Sequence, residues 1–392
     1  MTVSVRRATD ADFDAVMRHD ERGFGNSHTP GWVEGMRRLF DMDRFLLGEV
    51  DGELAGIAGS VPFPMGVPGG QVDVEGVTWV SVLPTHRRRG VLRALMHAQL
   101  RGFAESGVTV AALMASQSGI YGRFGYGAAT ECRDVRIECR AATFRPEVPD
   151  PGGVRMVEAD EPGIREVQRR WAAATPAGVL RHDVVWDLFD ADPPEIRGGG
   201  SILFRLLHAD GYASYRMDHA RRTLVVRDFF AVTDEAHVAL WRVLLGNDLV
   251  EGVETAECPL GDPLPFLLTD PRQVRTTRLR DGVWARLLDP AAALAARRYA
   301  VDVDLVLDIH DPVLPGPTRV HLTGGPDGAT CAPTTDQPDA SLGSSALGAL
   351  YLGGQRAAPL ARARLIEASP QVVRHIDAAF PADRSPVHGT DF

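Results

Sequence analysis

The sequence predicts an α/β protein whose last segment is α+β, and it predicts three domains. Strand and helix patterns alternate along most of the chain, in an order that occurs twice and is typical of parallel sheets covered by helices. From Pro290 onward, strands come first and helices follow, which favours an α+β domain. The chain of 392 residues is also too long for one ordinary domain.

The domain boundaries follow changes in composition and pattern. The segment Pro146–Gly153 is rich in proline and glycine, as linkers are. The region after it repeats the strand and helix order of the region before it, and the pattern changes again at Pro290. We therefore predict domains at 1–145, 146–289 and 290–392.

The first domain is predicted to open with a strand and a capped helix. Residues Thr2–Arg7 alternate in polarity, and Thr9 followed by acidic residues is typical of a helix N-cap. The dipeptide Asp51-Gly52 predicts a hairpin turn, and Pro62–Gly70 predicts a wider turn. The other predicted elements are strands at 44–50, 53–61, 72–83, 108–115 and 135–140 and a helix at 88–107.

The second and third domains are predicted from the same two periodicities. Apolar residues at helical spacing indicate helices, and short alternating or β-branched runs indicate strands. The second domain has a predicted strand from Val154, helices at 162–174 and 234–245, and strands at 201–207, 213–217, 223–231 and 252–257. The third has predicted helices at 291–298, 342–352, 357–366 and 369–380, and strands at 303–310, 317–323 and 329–332. The remaining residues, 381–392, are polar and irregular, as disordered tails are.

A strand, a basic loop and a helix follow one another in the first domain. Residues Trp79–Leu83 are β-branched, aromatic and apolar, and Pro84 ends this strand. Three arginines and Gly90 then precede the helix. Because the first N–H groups of a helix are free and its dipole attracts anions, the loop predicts a phosphate site. The alternative is a solvated turn, since neither a Walker loop nor a Gly-x-Gly-x-x-Gly motif is present.

Composition limits the partners and the location of the protein. A formal net charge of −10 argues against nucleic acid or an anionic membrane as a partner, and all 42 basic residues are arginine. The four cysteines have no zinc-ligand spacing, so we expect reduced thiols and no metal. Nothing resembles a signal peptide or a membrane span, so we expect a cytoplasmic protein.

The pattern Val-x-Val-x-Pro-x-x-Arg-Arg-x-Gly-apolar, which begins at Val80, resembles the acetyl-coenzyme A motif of GCN5-related N-acetyltransferases (GNAT). The resemblance implies that strand backbone at 80–82 holds the pantetheine arm of acetyl-coenzyme A (acetyl-CoA). It also implies that N–H groups across 88–93 hold the pyrophosphate. The expected cofactor-binding residues are Val80, Ser81, Val82, Arg88, Arg89, Gly90, Val91, Leu92, Arg93, Ser116 and Gln117.

The loop Ser116–Gly127 is dense in glycine and aromatic residues. A packed turn is one explanation, because glycine tolerates positive φ. However, a crossover helix returns the next strand beside the first, so this loop would lie at the same sheet edge as the basic loop. A tyrosine at that edge can reach the sulfur of the cofactor.

Segments along the whole chain resemble the enhanced intracellular survival (Eis) acetyltransferases. The resemblance implies two fused GNAT-like domains, of which only the first binds acetyl-CoA, and a third domain similar to sterol carrier proteins. It also implies a homohexamer that acetylates aminoglycoside amines at more than one position. The segments that carry it are Pro84–Gly90, Ile120–Gly127, Asp262–Pro265, Leu268–Asp270, Leu350–Gly353 and the terminal Phe392.

The resemblance implies roles for single residues as well. Tyr121 would be the general acid, and the terminal carboxylate of Phe392 would be the general base, which requires an ordered tail. Asp391, beside that base, would add negative charge for a cationic substrate. Family members often carry an acid where this chain has Asn26, so one cation-binding charge is lost. The other expected substrate-binding residues are Phe24, Trp32, Trp79 and Ser116.

Other acceptors and one different function stay open. Within the same reaction, the acceptor could be a polyamine, a peptide or a protein lysine. A different class is a lipid- or hydrophobe-binding scaffold, suggested by the third domain, with vestigial transferase domains. The intact basic loop and Tyr121 argue against a vestigial site.

Overall fold

The computed structural model describes residues 2–314 and 318–392. Its strands are β1 (Val3–Arg7), β2 (Leu46–Val50), β3 (Glu53–Val67), β4 (Gly70–Val82), β5 (Val110–Met114), β6 (Gly127–Ala128), β7 (Glu131–Glu138), β8 (Arg155–Val157), β9 (Phe204–His208), β10 (Gly211–Asp218), β11 (Thr223–Ala231), β12 (Gly252–Pro259), β13 (Val274–Asp281), β14 (Val283–Leu287), β15 (Val303–His310), β16 (Thr318–Gly325), β17 (Gly328–Pro333), β18 (Ala340–Gly343) and β19 (Ile366–Ala368). Its α-helices are α1 (Phe13–Phe24), α2 (Pro30–Leu39), α3 (Val91–Glu105), α4 (Gly163–Ala174), α5 (Asp183–Ala191), α6 (Asp234–Leu245), α7 (Leu264–Leu267), α8 (Pro290–Ala295), α9 (Ser344–Tyr351), α10 (Ala357–Arg362) and α11 (Pro370–Ala379). Within the described residues, no helix combines the length and the apolar character needed to cross a lipid bilayer.

The first sheet has the strand order β1-β2-β3-β4-β5-β14-β6. Within it, β4 and β5 are a parallel pair that α3 connects. One face of α3 is fully buried on the sheet, through Leu95, Met96 and Leu100. This packing fixes the basic loop at the carboxyl end of β4, which is the edge where open α/β sheets bind ligands.

β3 is longer than the sequence predicts. We expected a turn at Pro62–Gly70, but β3 continues through most of this segment and ends at Val67. The prolines in it cannot donate a hydrogen bond to a neighbouring strand. They are tolerated because β2 pairs with β3 only as far as Ala58, and the segment 177–180 that covers the later edge of β3 uses only the Pro64 carbonyl and the N–H and carbonyl of Gly66.

The two large sheets exchange strands. β14 comes late in the chain but pairs with β5 and β6 in the first sheet. β7, which we expected to complete the first domain, pairs instead with β12 and β13 in the second sheet. The predicted boundaries at 145 and 289 therefore divide the chain but not the sheets. β14 lies after residue 145 and joins the first sheet, whereas β7 lies before residue 145 and joins the second sheet. The hydrophobic pattern of the sequence does not predict β13, because this strand is polar, mostly exposed and at the edge of its sheet.

The second sheet, with the order β13-β7-β12-β11-β10-β9-β8, repeats the centre of the first. β11 and β12 are parallel and α6 connects them, as α3 connects β4 and β5. The helices expected at 162–174 and 234–245 are present as α4 and α6. α5 was not expected, because Trp186 is the one buried side chain in it and gives no apolar periodicity.

The third sheet, β17-β16-β15-β18-β19, packs with its helices against the first sheet. The contact is made by α9 against β6 and β14, and it needs glycine on both sides. A Cβ atom at Gly127 would lie 1.8 Å from the Ser345 carbonyl oxygen, and one at Gly348 would lie 2.2 Å from the Ala285 carbonyl oxygen. The third domain thus packs directly against the sheet that carries the basic loop.

Helix boundaries in the third domain differ from expectation, and the helix expected at 357–366 ends at Arg362, since Ile366 begins β19. The helix expected at 342–352 begins only at Ser344, because the residues before it pair in parallel with β15 and form β18. Pro317, the first residue of the strand expected at 317–323, lies outside the described residues.

The C-terminal tail contains neither helix nor strand but is held firmly by the second domain. Main-chain hydrogen bonds join residues 387–388 to the segment 176–179. The buried Arg181 side chain donates to the Thr390 hydroxyl (2.8 Å) and to the Gly389 carbonyl (3.1 Å). Composition favoured a disordered tail, whereas the structure has an ordered one.

Candidate active site

β4 and β5 separate towards their carboxyl ends. They pair only between Val74–Val77 and Val110–Leu113. A bulge follows, in which Trp79 has a φ of 52° and the register between β3 and β4 shifts. Beyond it, the backbone at 80–82 still pairs with β3 but no longer with β5. This edge is therefore free to bind an extended ligand that carries amide groups.

The loop before α3 is shaped to hold an anion. Arg88 and Gly90 have φ angles of 62° and 85°, which turn successive N–H groups toward one side. No side chain caps α3, and the Ala94 N–H is the donor to the Gly90 carbonyl (2.9 Å). The N–H groups of residues 91–93 are thus free, and the helix dipole favours negative charge beside them.

The free strand edge and this loop line one cleft of about 780 Å³. Its basic lining residues are Arg87, Arg88, Arg93 and Arg123, and no carboxylate is among its lining residues, all of which lie in the described part of the chain. The local charge is therefore opposite in sign to the net charge of −10. The cleft fits an elongated anion with polar groups along its length.

The predicted cofactor residues, with the exception of Arg89, all line this cleft. His97 also lines it and was missed, although it follows Arg93 by four residues on α3 and so shares its helix face. Pro312 reaches the cleft from the third domain, and no local signal marks it. The other lining residues that were not predicted are Gly23, His86, Arg87, Ile120, Arg123 and Phe124.

Tyr121 begins a short 3₁₀ turn, Tyr121–Phe124, after β5. Its residue is only 6% exposed, and it packs in a cluster with Val77 and Met96. Burial raises the pKa of Tyr121, so its hydroxyl keeps its proton at neutral pH. Tyr121 can therefore donate a hydrogen bond into the cleft, as a general acid must.

The expected substrate residues are only partly brought to the cleft. Phe24 and Ser116 line it, and Phe24 is 49% exposed. Trp32 and Trp79 do not line it but stack on the His28 ring, with centroids 6.5 Å and 5.5 Å away. These rings form an aromatic group beside the cleft, and aromatic faces attract organic cations.

A buried acid lies next to this aromatic group. The Asp20 carboxylate lies 2.9 Å from Nε2 of His28, with the Asn26 side chain beside it. Burial raises the pKa of Asp20. Asn26 does not line the cleft, but it contacts a carboxylate that the sequence did not mark as functional. Asp391, by contrast, lies apart from the cleft, and 81% of its side chain is exposed.

Phe392 does not line the cleft either. Its ring is 4.5 Å from the Phe63 ring between centroids, and a Cβ atom at Gly76 would lie 2.6 Å from it. Val77, the next residue of β4, packs with Tyr121. Because strand side chains alternate between faces, Phe392 and Tyr121 flank β4 from opposite sides at adjacent positions.

Comparison with known proteins identifies the family. Residues 4–129 and 177–309 each match the model of an acetyltransferase (GNAT) domain, and residues 290–389 match that of a sterol carrier protein domain. N-acetyltransferase Eis of Mycobacterium bovis is 39% identical, over 98% of this chain and 98% of its own length. The chain belongs to the Eis family of N-acetyltransferases. Eis1 of Mycobacterium abscessus is a structural relative with 36% identity and a TM-score of 0.88, covering 99% of this chain and 100% of its own.

Membership of the Eis family confirms the predicted fold of two GNAT domains followed by a domain like sterol carrier proteins. It also confirms that the protein is an N-acetyltransferase. GNAT acetyltransferases use acetyl-CoA, so the family and the shape of the cleft agree in the class of ligand they require.

The two GNAT domains of this Eis family member differ at the start of the helix that connects their parallel strands, which is α3 in the first domain and α6 in the second. In the second domain, Thr233 caps α6 by accepting from the Ala236 N–H (3.3 Å). Asp234 and Glu235 then occupy the first turn of α6. A capped helix with two acids in its first turn repels an anion, whereas the uncapped and basic start of α3 attracts one.

Proposed function

We propose that this protein transfers the acetyl group of acetyl-CoA to amino groups of cationic small molecules, and that aminoglycosides are acetylated at more than one position. The observation that carries the proposal is the single cleft in which the free edge of β4 meets the uncapped, basic start of α3. The family supports acetyl transfer to nitrogen. The aromatic group beside the cleft supports a cationic acceptor.

The residues of the cleft fit acetyl-CoA along its length. The backbone at 80–82 offers donors and acceptors to the amides of the pantetheine arm. The free N–H groups at 91–93 and the guanidinium groups of Arg88 and Arg93 suit the pyrophosphate. The volume of about 780 Å³ is ample for such a ligand.

The acceptor must lose a proton before its nitrogen can attack the thioester. We assign this step to the terminal carboxylate of Phe392, acting directly or through one water molecule. A free terminal carboxylate has a pKa of about 3.3–3.7, far below that of an amine. It therefore needs a desolvated position to act as a base, and its ring is seated between Phe63 and Gly76.

The C–N bond then forms, and the resulting oxyanion can be stabilised by a strand N–H near Val82. The C–S bond breaks as the carbonyl re-forms, and Tyr121 supplies a proton to the departing thiolate. Full transfer from an ordinary tyrosine to a thiolate costs about 2 kcal/mol, from pKa values of about 10 and 8.5. Because burial raises the pKa of Tyr121 further, a donated hydrogen bond is the form of assistance we favour.

The strand separation explains how these two groups could act on one acetyl group. Phe392 and Tyr121 flank β4 from opposite sides, and β4 is no longer paired with β5 beyond Val77. A thioester laid along the free edge at 80–82 would reach this gap. The amine would approach from the face of Phe392, and the sulfur would leave on the face of Tyr121.

The proposed reaction is tested by thiol release from acetyl-CoA with kanamycin, spermidine and a lysine peptide as acceptors. We expect the highest kcat/KM with kanamycin, and product masses with more than one added acetyl group. Because the chain contains no lysine, acetylation of its own side chains cannot mask lysine-peptide turnover. A preference for the peptide would replace the proposed acceptor, and no thiol release with any amine would contradict the reaction itself.

Replacing Arg93 by Gln is expected to raise the KM for acetyl-CoA by about tenfold or more and to leave kcat nearly unchanged. A charge-assisted hydrogen bond to phosphate contributes about 1.5–3 kcal/mol and is made equally in the ground and transition states. Arg101→Gln is the matched control, because Arg101 is exposed further along α3 and does not line the cleft. Equal KM values for the two variants would argue against the pyrophosphate site.

The family resemblance also leads us to propose a homohexamer. Light scattering coupled to size exclusion should then give the mass of six 42.4 kDa chains. The mass of a single chain would contradict this assembly.

A further inference from the structure

Three chemically active side chains meet where the C-terminal tail crosses the second domain. Nε2 of His388 lies 3.3 Å from Oε1 of Glu257 and 3.5 Å from Oδ1 of Asp391. Together with His388, these two carboxylates offer three ligand atoms that lie within 4.8 Å of one another. His388 is completely buried, and its Nε2 has no hydrogen-bond partner among the described residues. A buried nitrogen without a partner, facing two carboxylates, requires an explanation.

The separations between these atoms can be compared with those of a direct hydrogen bond and of two ligands of one metal ion. A charge-assisted hydrogen bond from an imidazolium to a carboxylate is about 2.7–2.9 Å long, shorter than either distance here. Two ligands of one tetrahedral zinc ion, with bonds of about 2.0–2.1 Å, are separated by about 3.3–3.4 Å. The distance of 3.3 Å agrees with the second arrangement and the distance of 3.5 Å is slightly longer, so both are nearer to it than to a direct hydrogen bond.

We propose that Glu257, His388 and Asp391 form a binding site for a divalent transition-metal ion of the Zn²⁺ class. Imidazole and carboxylate are ligands that zinc accepts, and three protein ligands leave a fourth position open to water. Asp391 is on the solvent side, with 81% of its side chain exposed, so an ion can enter from there.

The backbone around Glu257 is shaped to bring its carboxylate to this point. Glu257 has a φ of 63°, which is strained for a residue with a side chain, and it lies in a bulge of β12. Nη2 of Arg280 lies 3.2 Å from Oε1 of Glu257 and holds that carboxylate in place. Such hydrogen bonds to ligating carboxylates orient metal sites in proteins.

The site has a consequence for the end of the chain. Asp391 directly precedes Phe392, so a bound ion would tie the terminal residues to β12 of the second domain. Metal binding itself does not depend on the function proposed above. Only its effect on catalysis rests on that function, through the position of the Phe392 carboxylate.

The competing explanation is a protonated His388 held between two carboxylates without a metal. Burial by itself would lower the pKa of His388, but Asp391 and Glu257 outweigh it and raise the pKa to about 9. A metal ion would take the place of that proton. Direct measurement of metal binding therefore separates the two explanations.

The test uses the full-length protein, stripped with a chelator and dialysed against Zn²⁺, with Co²⁺ as a spectroscopic probe. We expect one Zn²⁺ per chain and a Co²⁺ absorption band typical of a four-coordinate site. Asp391→Asn should weaken Zn²⁺ binding by at least about tenfold, and this exposed substitution does not threaten folding. His388→Asn should abolish specific binding, and His219→Asn, at an exposed histidine, is the matched control.

Failure to bind Zn²⁺, or wild-type affinity in the Asp391→Asn variant, overturns the site. Binding that survives in His388→Asn would show that groups elsewhere hold the ion and would overturn the site as well. Thiol release from acetyl-CoA is measured alongside. Acetyl transfer without metal binding would refute only this inference, and metal binding without acetyl transfer would refute only the proposed function.

Discussion

Deletion of Phe392 is expected to lower kcat by about 10²–10⁴-fold, which is the usual contribution of a positioned general base. The deletion removes the ring that packs on Phe63 and shifts the terminal carboxylate to the residue before it. The acetyl-CoA cleft contains no residue of the tail, so the dissociation constant of the cofactor should change little. Single-turnover rates and cofactor titrations measure the two effects separately.

Two further variants separate the ring from the carboxylate. Two glycines added after Phe392 keep the ring but move the carboxylate, and should reduce kcat nearly as much as the deletion. Phe392→Leu keeps the carboxylate and loses part of the packing against Phe63, so its effect should be smaller. Full activity in the extended chain would show that the terminal carboxylate is not the base.

We expect Tyr121→Phe to lower kcat by about 10²-fold and to leave both KM values nearly unchanged. The loss follows because the hydroxyl stabilises the departing thiolate only as the C–S bond breaks. Since burial raises the pKa of Tyr121, the wild-type enzyme should lose no activity through its ionisation below about pH 10. A fall in kcat centred below that pH, present in the wild type and absent in Tyr121→Phe, would contradict the raised pKa of Tyr121, and an unchanged kcat in Tyr121→Phe would contradict its role as the acid.

Tyr126→Phe is the matched control for Tyr121→Phe. The two rings are neighbours, with centroids 6.1 Å apart, and both are buried. The Tyr126 hydroxyl has no hydrogen-bond partner among the described residues, so its removal leaves nothing else unpaired. We expect near wild-type kcat for Tyr126→Phe, and an equal loss in both variants would indicate a packing effect.

The lining of the cleft was largely predictable from sequence, and its role in cofactor binding stays a prediction. The strand at 79–83, the basic loop and the start of α3 are contiguous, so their pattern specifies both the local structure and the chemistry. Arg89 is the predicted cofactor residue that does not line the cleft. Positive φ angles at Arg88 and Gly90, on either side of it, determine which arginine side chains face the cleft. His97 was within reach of the same reasoning, since it shares a helix face with Arg93.

The positions of the residues expected to bind the acceptor amine were harder to predict from sequence. Asn26, Trp32 and Trp79 were expected to contact the substrate, and they form a group beside the cleft instead of lining it. Asp20 was not expected, because one acid in an amphipathic helix has no distinguishing local pattern. Its burial against His28 is a tertiary property.

The sequence by itself determined the succession of domains, the parallel strand pairs joined by helices, and the anion-binding loop. These depend on periodicity and on the free N–H groups of one helix end, which a short stretch of chain fixes locally. Three features are decided only by the tertiary structure. β7 and β14 pair in sheets other than those expected from chain order, the Phe392 ring packs against Gly76, and the Glu257 carboxylate lies beside His388. Each of these joins residues far apart in the chain, and their pairing follows from which edges and faces remain to be covered once the sheets have formed.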